Sequence, residues 1–189
     1  LRPWTPISVS ARNRSLSVWG RSYTFAASGL PEKILSGGEQ ILAGPVSLVE
    51  RTGSRTAALA GAGMRFVSTG DARVEMAARA VGKKTTADVK VLCEYDGMLR
   101  YEVSLGGRKD DRIEGLDLVV PLKEKHARFL HAAGDGCRSN YSHALPSGNG
   151  RVWDASAVMN WTMPHAWLTY AWLGDHERGL CWWADSAEG

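Results

Sequence analysis

Tryptophan is the residue type that most suggests a binding chemistry in this sequence. Eight of the 189 residues are tryptophan, and an indole has a flat apolar face and one N–H donor, which suit stacking on a sugar ring. The same side chains could instead fill a core or a contact between domains. The candidates are Trp172, Trp182 and Trp183. Because strand neighbours point to opposite faces, we expect Trp182 or Trp183 to be core, and at least one of the three to be largely exposed.

A charged loop lies between Trp172 and Trp182. Its residues Asp175, Glu177 and Arg178 could form a polar rim for a carbohydrate or a docking domain, with Arg178 pairing with either carboxylate. A pair of carboxylates could also act as acid and base in a glycosidase, but a charged turn tip usually serves solubility. We therefore expect no catalytic residue in this chain.

One group of residues carries metal-binding side chains: His126, His131, Cys137 and His143. Imidazole and thiolate bind zinc, but gaps of four, five and five residues match no compact zinc signature. His131 also alternates with Phe129, as a packed or a solvent-facing histidine on a strand would. The sequence therefore predicts no metal and no cofactor, and a small metal-dependent enzyme built on residues 126–143 is the least favoured hypothesis.

Composition is typical of a globular domain and argues against two classes of partner. Hydrophobic residues make up 44% and charged residues 23%, which is ordinary for a folded protein. The net charge is +3, from 23 basic and 20 acidic residues. The basic residues are scattered among acids, so we expect no nucleic-acid partner. No apolar run approaches the roughly 20 residues of a membrane span. We expect residues 1–189 to form one domain of a longer protein.

The elements that would position these side chains are strands. Apolar residues alternate over 86–95 and again over 98–105, which predicts two half-buried strands. A three-residue loop, 95–97, with a left-handed Gly97 sets Cys93 opposite Leu99 and Val91 opposite Tyr101. We expect six of their side chains to share one buried face: Val89, Val91, Cys93, Leu99, Tyr101 and Val103.

Other segments follow the same period. Strands are predicted over 15–25, 41–49, 115–122, 167–173 and 180–184, whereas 133–149 has the composition of a loop. Residues 72–81 fit a helix or a strand, and the neighbouring strands favour a strand. Short strands separated by Gly and Asp turns predict an all-β antiparallel sandwich with little helix.

Several motifs resemble one protein family. Residues 4–6 (WTP), 18–25 (VWGRSYTF), 34–38 (ILSGG), 41–46 (ILAGPV), 94–99 (EYDGML) and 118–122 (LVVPL) resemble the N-terminal region of bacterial glycoside-hydrolase-like proteins related to glycoside hydrolase family 123. The most specific motif is the last, residues 172–186 (WLGDHERGLCWWADS).

The resemblance implies a role for the chain. In that family an N-terminal β-sandwich precedes a (β/α)₈ barrel, which carries an Asp-Glu pair for removing N-acetylhexosamine residues. The resemblance thus implies a non-catalytic accessory domain whose partner is the C-terminal catalytic barrel of the same polypeptide, on which it packs or to which it contributes a loop. It also implies a secreted or periplasmic location. The alternative is an independent carbohydrate-binding module that binds glycan through exposed Trp.

Overall fold

The computed structural model describes residues 5–107, 112–134, 139–156 and 167–185. Within these ranges the strands are antiparallel and the one helical segment is a 3₁₀ turn, Glu124–His126, which confirms the predicted all-β fold with sandwich-like packing. The chain divides into two compact units, Leu1–Pro121 and Leu122–Gly189, and the single domain expected from the sequence stays a prediction. No helix in the described ranges has the length and apolar character that crossing a membrane requires.

The first unit contains three antiparallel sheets. Its strands are β1 (Ser8–Ser10), β2 (Ser15–Val18), β3 (Arg21–Phe25), β4 (Pro31–Ser36), β5 (Glu39–Gln40), β6 (Ser47–Thr52), β7 (Arg55–Ala58), β8 (Ala60–Thr69), β9 (Arg73–Val81), β10 (Thr85–Glu94), β11 (Leu99–Gly107) and β12 (Gly115–Val119). The sheet orders are β1-β2-β3-β4-β5, β11-β10-β9-β8 and β12-β6-β7. Residues 15–25, predicted as one strand, form two strands, because Gly20 adopts a φ of 72° between them.

The main core lies where the β1–β5 sheet meets the β8–β11 sheet. Gly29 is so close to β9 that an added Cβ would lie 2.7 Å from the Cβ of Ala78, and the Tyr23 hydroxyl donates to the Gly97 carbonyl over 2.7 Å. The ambiguous segment 72–81 forms strand β9 (Arg73–Val81), as predicted. Alternate side chains of β9 and β10 are buried, namely Val74, Met76, Ala78, Ala80, Ala87, Val89, Val91 and Cys93.

The hairpin of β10 and β11 has the predicted register. Cys93 pairs with Leu99 and Val91 with Tyr101, and Gly97 has a φ of 84°. The six residues share one face as predicted, but the prediction that this face is buried is wrong for Val103, which is 41% exposed. β11 is the edge strand of its sheet, so Val103 has a neighbouring strand on one side only.

A buried carboxylate fixes the opposite end of this sheet. Glu50 on β6 is 1% exposed and accepts hydrogen bonds from the backbone amides of Lys83 (2.8 Å), Lys84 (3.3 Å) and Thr85 (3.2 Å). Burial alone would raise the pKa of this carboxyl, but the amide hydrogen bonds outweigh burial and lower it. The β9–β10 turn is thus anchored by a neighbouring sheet.

The outward side of the β8–β11 sheet, which we call the charged face, carries ionic side chains. They alternate with the buried residues along β9 and β10, as period two requires. Three exposed ion pairs lie on it: Arg73 with Glu75 (3.5 Å), Arg79 with Asp88 (3.2 Å) and Lys90 with Glu102 (3.6 Å).

The second unit is built on one four-stranded sheet. Its strands are β13 (Phe129–Gly134), β14 (Ser139–Ala144), β15 (Leu168–Gly174) and β16 (Gly179–Trp183), in the order β14-β13-β15-β16. β14 lies in the segment predicted as a loop, so that prediction is wrong there. One side of the sheet forms a small core around Leu130 and Ala132, against which six side chains pack: Tyr141, Leu145, Trp153, Leu168, Ala171 and Leu173.

Candidate functional site

The other side of the β13–β16 sheet is an aromatic surface, which we call the open face. Cross-strand partners lie on the same face of a sheet, so the pairing register assigns its members. Within the described residues of these strands, the open face has no Asp, Glu, Lys or Arg and no Val, Leu, Ile or Met. Its residues are Phe129, His131, Ala133, Asn140, Ser142, Ala144, Tyr170, Trp172, Gly174, Gly179, Cys181 and Trp183.

The rings of the open face contact one another. His131 and Tyr170 meet edge to face with centroids 5.1 Å apart. At one end of the sheet, Phe129 meets His176 of the charged loop in the same way at 4.7 Å. Partial desolvation raises the pKa of the Tyr170 phenol. Trp183 is 65% exposed, so the surface combines rings held by neighbours with one ring open to solvent.

Trp172 packs against two glycines. Gly174 and Gly179 are cross-strand partners, and the Trp172 indole lies against both. A Cβ added at Gly179 would be 2.6 Å from Trp172 Nε1, and one added at Gly174 would collide with the same ring. Glycine is therefore needed at both positions, because any side chain would collide with the Trp172 indole. The bare backbone fixes the orientation of the indole.

The charged loop between Gly174 and Gly179 is fixed by one carboxylate. Asp175 Oδ1 accepts from the amides of Glu177 and Arg178, both at 2.7 Å. Asp175 Oδ2 lies 2.7 Å from Nδ1 of His126, which is 2% exposed. Because an ionised carboxylate only accepts, Nδ1 carries the hydrogen. The His126 hydrogen bond first, and then the two amides, hold the pKa of Asp175 far below its usual range.

This arrangement does not give an acid and base pair. Asp175 is ionised and committed to the backbone, so it is unsuited to donate a proton. Arg178 pairs with Glu177 at 2.6 Å, which is one of the two pairings predicted for this arginine. The turn therefore presents Glu177 and His176 outwards, and both are exposed.

The predicted behaviour of the last two tryptophans is confirmed in part. Trp183 pairs with Tyr170 and Trp182 with Ala171, so the two indoles lie on opposite faces as expected. The expectation that one of them is core is wrong, because Trp182 is 41% and Trp183 is 65% exposed. β16 is an edge strand, and edge positions lose cover on one side. The exposure of Trp183 confirms that at least one of the three is largely exposed.

The metal-binding candidates do not converge. His131 is on the open face, whereas His143 pairs with Leu130 on the core side, and His126 is committed to Asp175. Cys137 lies outside the described residues. In the part of the chain that the structure describes, no group of three metal-binding side chains could hold an ion.

The two described cysteines differ in exposure. The thiol of Cys93 is buried, which raises its pKa to about 12, while the free thiol of Cys181 is exposed.

A shallow groove borders the open face at Phe129. The Arg128 guanidinium lies 5.5 Å above the centroid of the Phe129 ring, so a cation adjoins the aromatic surface. The groove has a volume of about 560 Å³ and is lined by Glu124, Lys125, Ala127, Arg128, Phe129, Ala144 and Leu145.

Sequence reasoning found Trp172, Trp183 and the charged loop, but it missed other parts of the site. Phe129 and Tyr170 belong to the same surface, and Gly174 and Gly179 make room for an indole. A signal was present, because Phe129 alternates with His131 and Tyr170 with Trp172. The partners of these strands were not evident, since β13 and β15 are far apart in the sequence.

The fold and the site define a β-sandwich-type domain with an aromatic sheet surface, a class of domain that hosts many functions. Residues 9–185 match the family model described as glycoside hydrolase 123, third domain. The chain therefore belongs to that family. No curated protein matches the sequence. The N-terminal position, the bacterial origin and the following barrel that the resemblance implied stay predictions.

Proposed function

We propose that this chain is a non-catalytic accessory domain of a glycoside hydrolase family 123 enzyme. In this proposal it packs on the catalytic barrel of the same polypeptide and contributes the loop between Gly174 and Gly179 to the contact. The observation that carries the proposal is the geometry of that loop, considered together with the family of the chain.

The loop is ordered before any partner arrives. A single carboxylate, that of Asp175, accepts three hydrogen bonds, two from loop amides and one from a buried histidine. A loop that is fixed in advance loses little conformational entropy when it docks. The exposed His176 and Glu177 are then available as polar contacts at the rim of an interface.

Two carboxylates that each accept three hydrogen bonds support a non-catalytic role. Glu50 binds three amides of the β9–β10 turn, and Asp175 binds two amides and a histidine. Both are thus used to hold turns in place. Neither resembles a general acid, whose pKa is raised towards neutrality.

Docking is tested by binding in trans. The 189-residue chain is mixed with a separately produced catalytic domain of the enzyme that contains it, and the affinity is measured by calorimetry. We expect His176→Ala/Glu177→Ala to weaken binding about tenfold, as loss of interface contacts does. The matched control Arg79→Ala/Asp88→Ala removes an exposed pair from the charged face and should leave the affinity unchanged. Equal weakening by both double variants would contradict docking through the loop.

Catalysis is tested separately. Purified chain is assayed on aryl N-acetylhexosaminides and other aryl glycosides, and we expect no turnover. Turnover that is lost in Asp175→Ala or Glu177→Ala would overturn the non-catalytic assignment and locate the active site in the charged loop.

A further inference from the structure

We propose that the open face is a binding surface for a neutral oligosaccharide, whose pyranose rings stack on Trp172, Tyr170 and Trp183. The inference goes beyond docking on a barrel, because it assigns a ligand to a surface of this chain. It uses neither His176 nor Glu177, the two residues of the proposed docking contact.

The charge of the open face selects among ligands that stack on rings. Nucleic-acid bases also stack on aromatic side chains, but nucleic-acid binders neutralise phosphates with Lys and Arg. The described positions of the open face carry neither, whereas the charged face of the first unit carries several. Arg128 lies over the Phe129 ring, at the other end of β13 from the position that pairs with Tyr170. Because the described positions of the open face offer no cation to neutralise phosphates, we expect the ligand that stacks there to be uncharged.

The kinds of apolar residue present argue against a protein partner. Protein interfaces are enriched in aromatic residues, but interfaces that resemble a divided core also bury branched aliphatic side chains. The described positions of the open face have none of these, although the core side of the same sheet has Leu130, Leu168 and Leu173. A surface made of aromatic rings and small residues is a better match for the flat C–H faces of sugar rings than for the interdigitating side chains of another protein.

The three rings are arranged over a length suited to more than one sugar. Tyr170 and Trp172 are two residues apart on β15, which separates their Cα atoms by about 6–7 Å. Trp183 is the direct partner of Tyr170 on the next strand, about 5 Å away. Because the Trp172 indole packs directly against Gly174 and Gly179, this ring has little freedom before a ligand binds, which lowers the entropic cost of binding.

Polar groups lie beside the rings to bond sugar hydroxyls. Asn140 and Ser142 are exposed on the same face, and His131 sits between them and Tyr170. These groups include both donors and acceptors, as hydroxyl groups require. Small-ligand sites usually combine an apolar surface with a few polar groups at fixed positions.

The first experiment uses the 189-residue chain and a printed array of neutral hexose and N-acetylhexosamine oligosaccharides, followed by calorimetry with the sugar that binds best. We expect saturable binding that Trp183→Ala weakens at least fivefold and Trp183→Phe largely retains. The matched control is Trp19→Ala, which removes a tryptophan that is 79% exposed at the β2–β3 turn. It should leave binding unchanged. No binding to the array, or equal loss in the Trp19 and Trp183 variants, would overturn the proposal.

The second experiment locates the ligand. Cys181 is an exposed free thiol on the open face, whereas Cys93 is buried. Bound sugar should slow alkylation of Cys181 by iodoacetamide at least threefold, as followed by peptide mass spectrometry. An unchanged rate at saturating sugar would place binding elsewhere and overturn the assignment. His176→Ala/Glu177→Ala should still bind sugar, so a failure of docking and a failure of sugar binding remain distinguishable.

Discussion

The charged face of the first unit and the open face of the second are both turned away from a core, but they use different side chains. The charged face pairs cations with anions across neighbouring strands, such as Arg79 with Asp88. The open face has rings and small residues in its described positions, such as Trp183 and Gly179. Charged pairs suit a surface that stays in water, whereas exposed contiguous aromatic area marks an interaction site. The contrast therefore favours the open face over the charged face as the proposed interaction surface.

The two sheets nevertheless share one structural device. A carboxylate from outside the turn, Glu50, binds the amides of the β9–β10 turn, while Asp175 binds amides of its own turn and reaches His126. In both cases the hydrogen bonds lower the pKa of the carboxyl. The scaffolds are therefore fixed alike, and the difference between the faces lies in the side chains that they present.

The largest effect on stability is expected at the carboxylate that anchors the β8–β11 sheet, whose outward side is the charged face. Glu50→Gln replaces an acceptor that serves three amides by a group with one acceptor oxygen, so the free energy of unfolding should fall by about 2–3 kcal/mol. Hydrogen exchange should speed up at the amides of Lys83, Lys84 and Thr85. Glu75→Gln on the charged face is the matched control and should change stability by less than about 0.5 kcal/mol.

The same variant has a signature in pH. Because folding lowers the pKa of Glu50, its contribution is complete above the unfolded pKa of about 4.3 and is lost as the pH falls towards the folded pKa. Wild-type stability should therefore decline more steeply below about pH 4.5 than that of Glu50→Gln. The free energy of unfolding is measured by urea titration at several pH values. An equal decline at low pH in the wild type and in Glu50→Gln would contradict the proposed role of this carboxylate.

A middle-sized effect is expected at the platform of the open face. In Gly179→Ala the new methyl would meet the Trp172 indole at 2.6 Å, so the ring or the hairpin must move, at a cost of about 1–3 kcal/mol. The indole N–H resonance of Trp172 should shift, and sugar affinity should fall. Gly44→Ala is the control, because its methyl would make ordinary contact with Pro121 at 3.7 Å. An unshifted Trp172 resonance would show that the glycine pair does not orient the ring.

The smallest effect is expected on the charged face itself. Lys90→Ala/Glu102→Ala removes an exposed pair whose atoms are 3.6 Å apart, and such pairs contribute about 0.2–1 kcal/mol. Thermal unfolding should shift little, and binding to the sugar array should be the same as in wild type. If this double variant lost sugar binding while remaining folded, the functional contrast between the two faces would be mistaken.

Local features of the fold could be predicted because their causes are local. The alternation over β9, β10 and β11 and the turn at Gly97 were sufficient for the register of Cys93 with Leu99. β14 could not be predicted, because its open-face residues Asn140, Ser142 and Ala144 are polar or small and give no apolar period. Period-two patterns report only strands that bury one face.

The candidate site was predicted less completely than the fold. The cluster of tryptophans and the charged turn were visible in the sequence, and so was the alternation that separates Trp182 from Trp183. The exposure of Trp182 was not predictable, since it depends on β16 being an edge strand. Likewise, the role of Asp175 depends on His126, which is distant in the chain.

The sequence by itself determined where the strands of the late hairpin run, which residues face together within one strand, and which family the motifs resemble. Only the tertiary structure decided that β13 lies between β14 and β15, and that His131 therefore meets Tyr170. It also decided that Trp172 lies over Gly174 and Gly179. The reason is physical: alternation and turn geometry arise from neighbouring residues, whereas pairing between distant strands depends on the packing of the whole sheet.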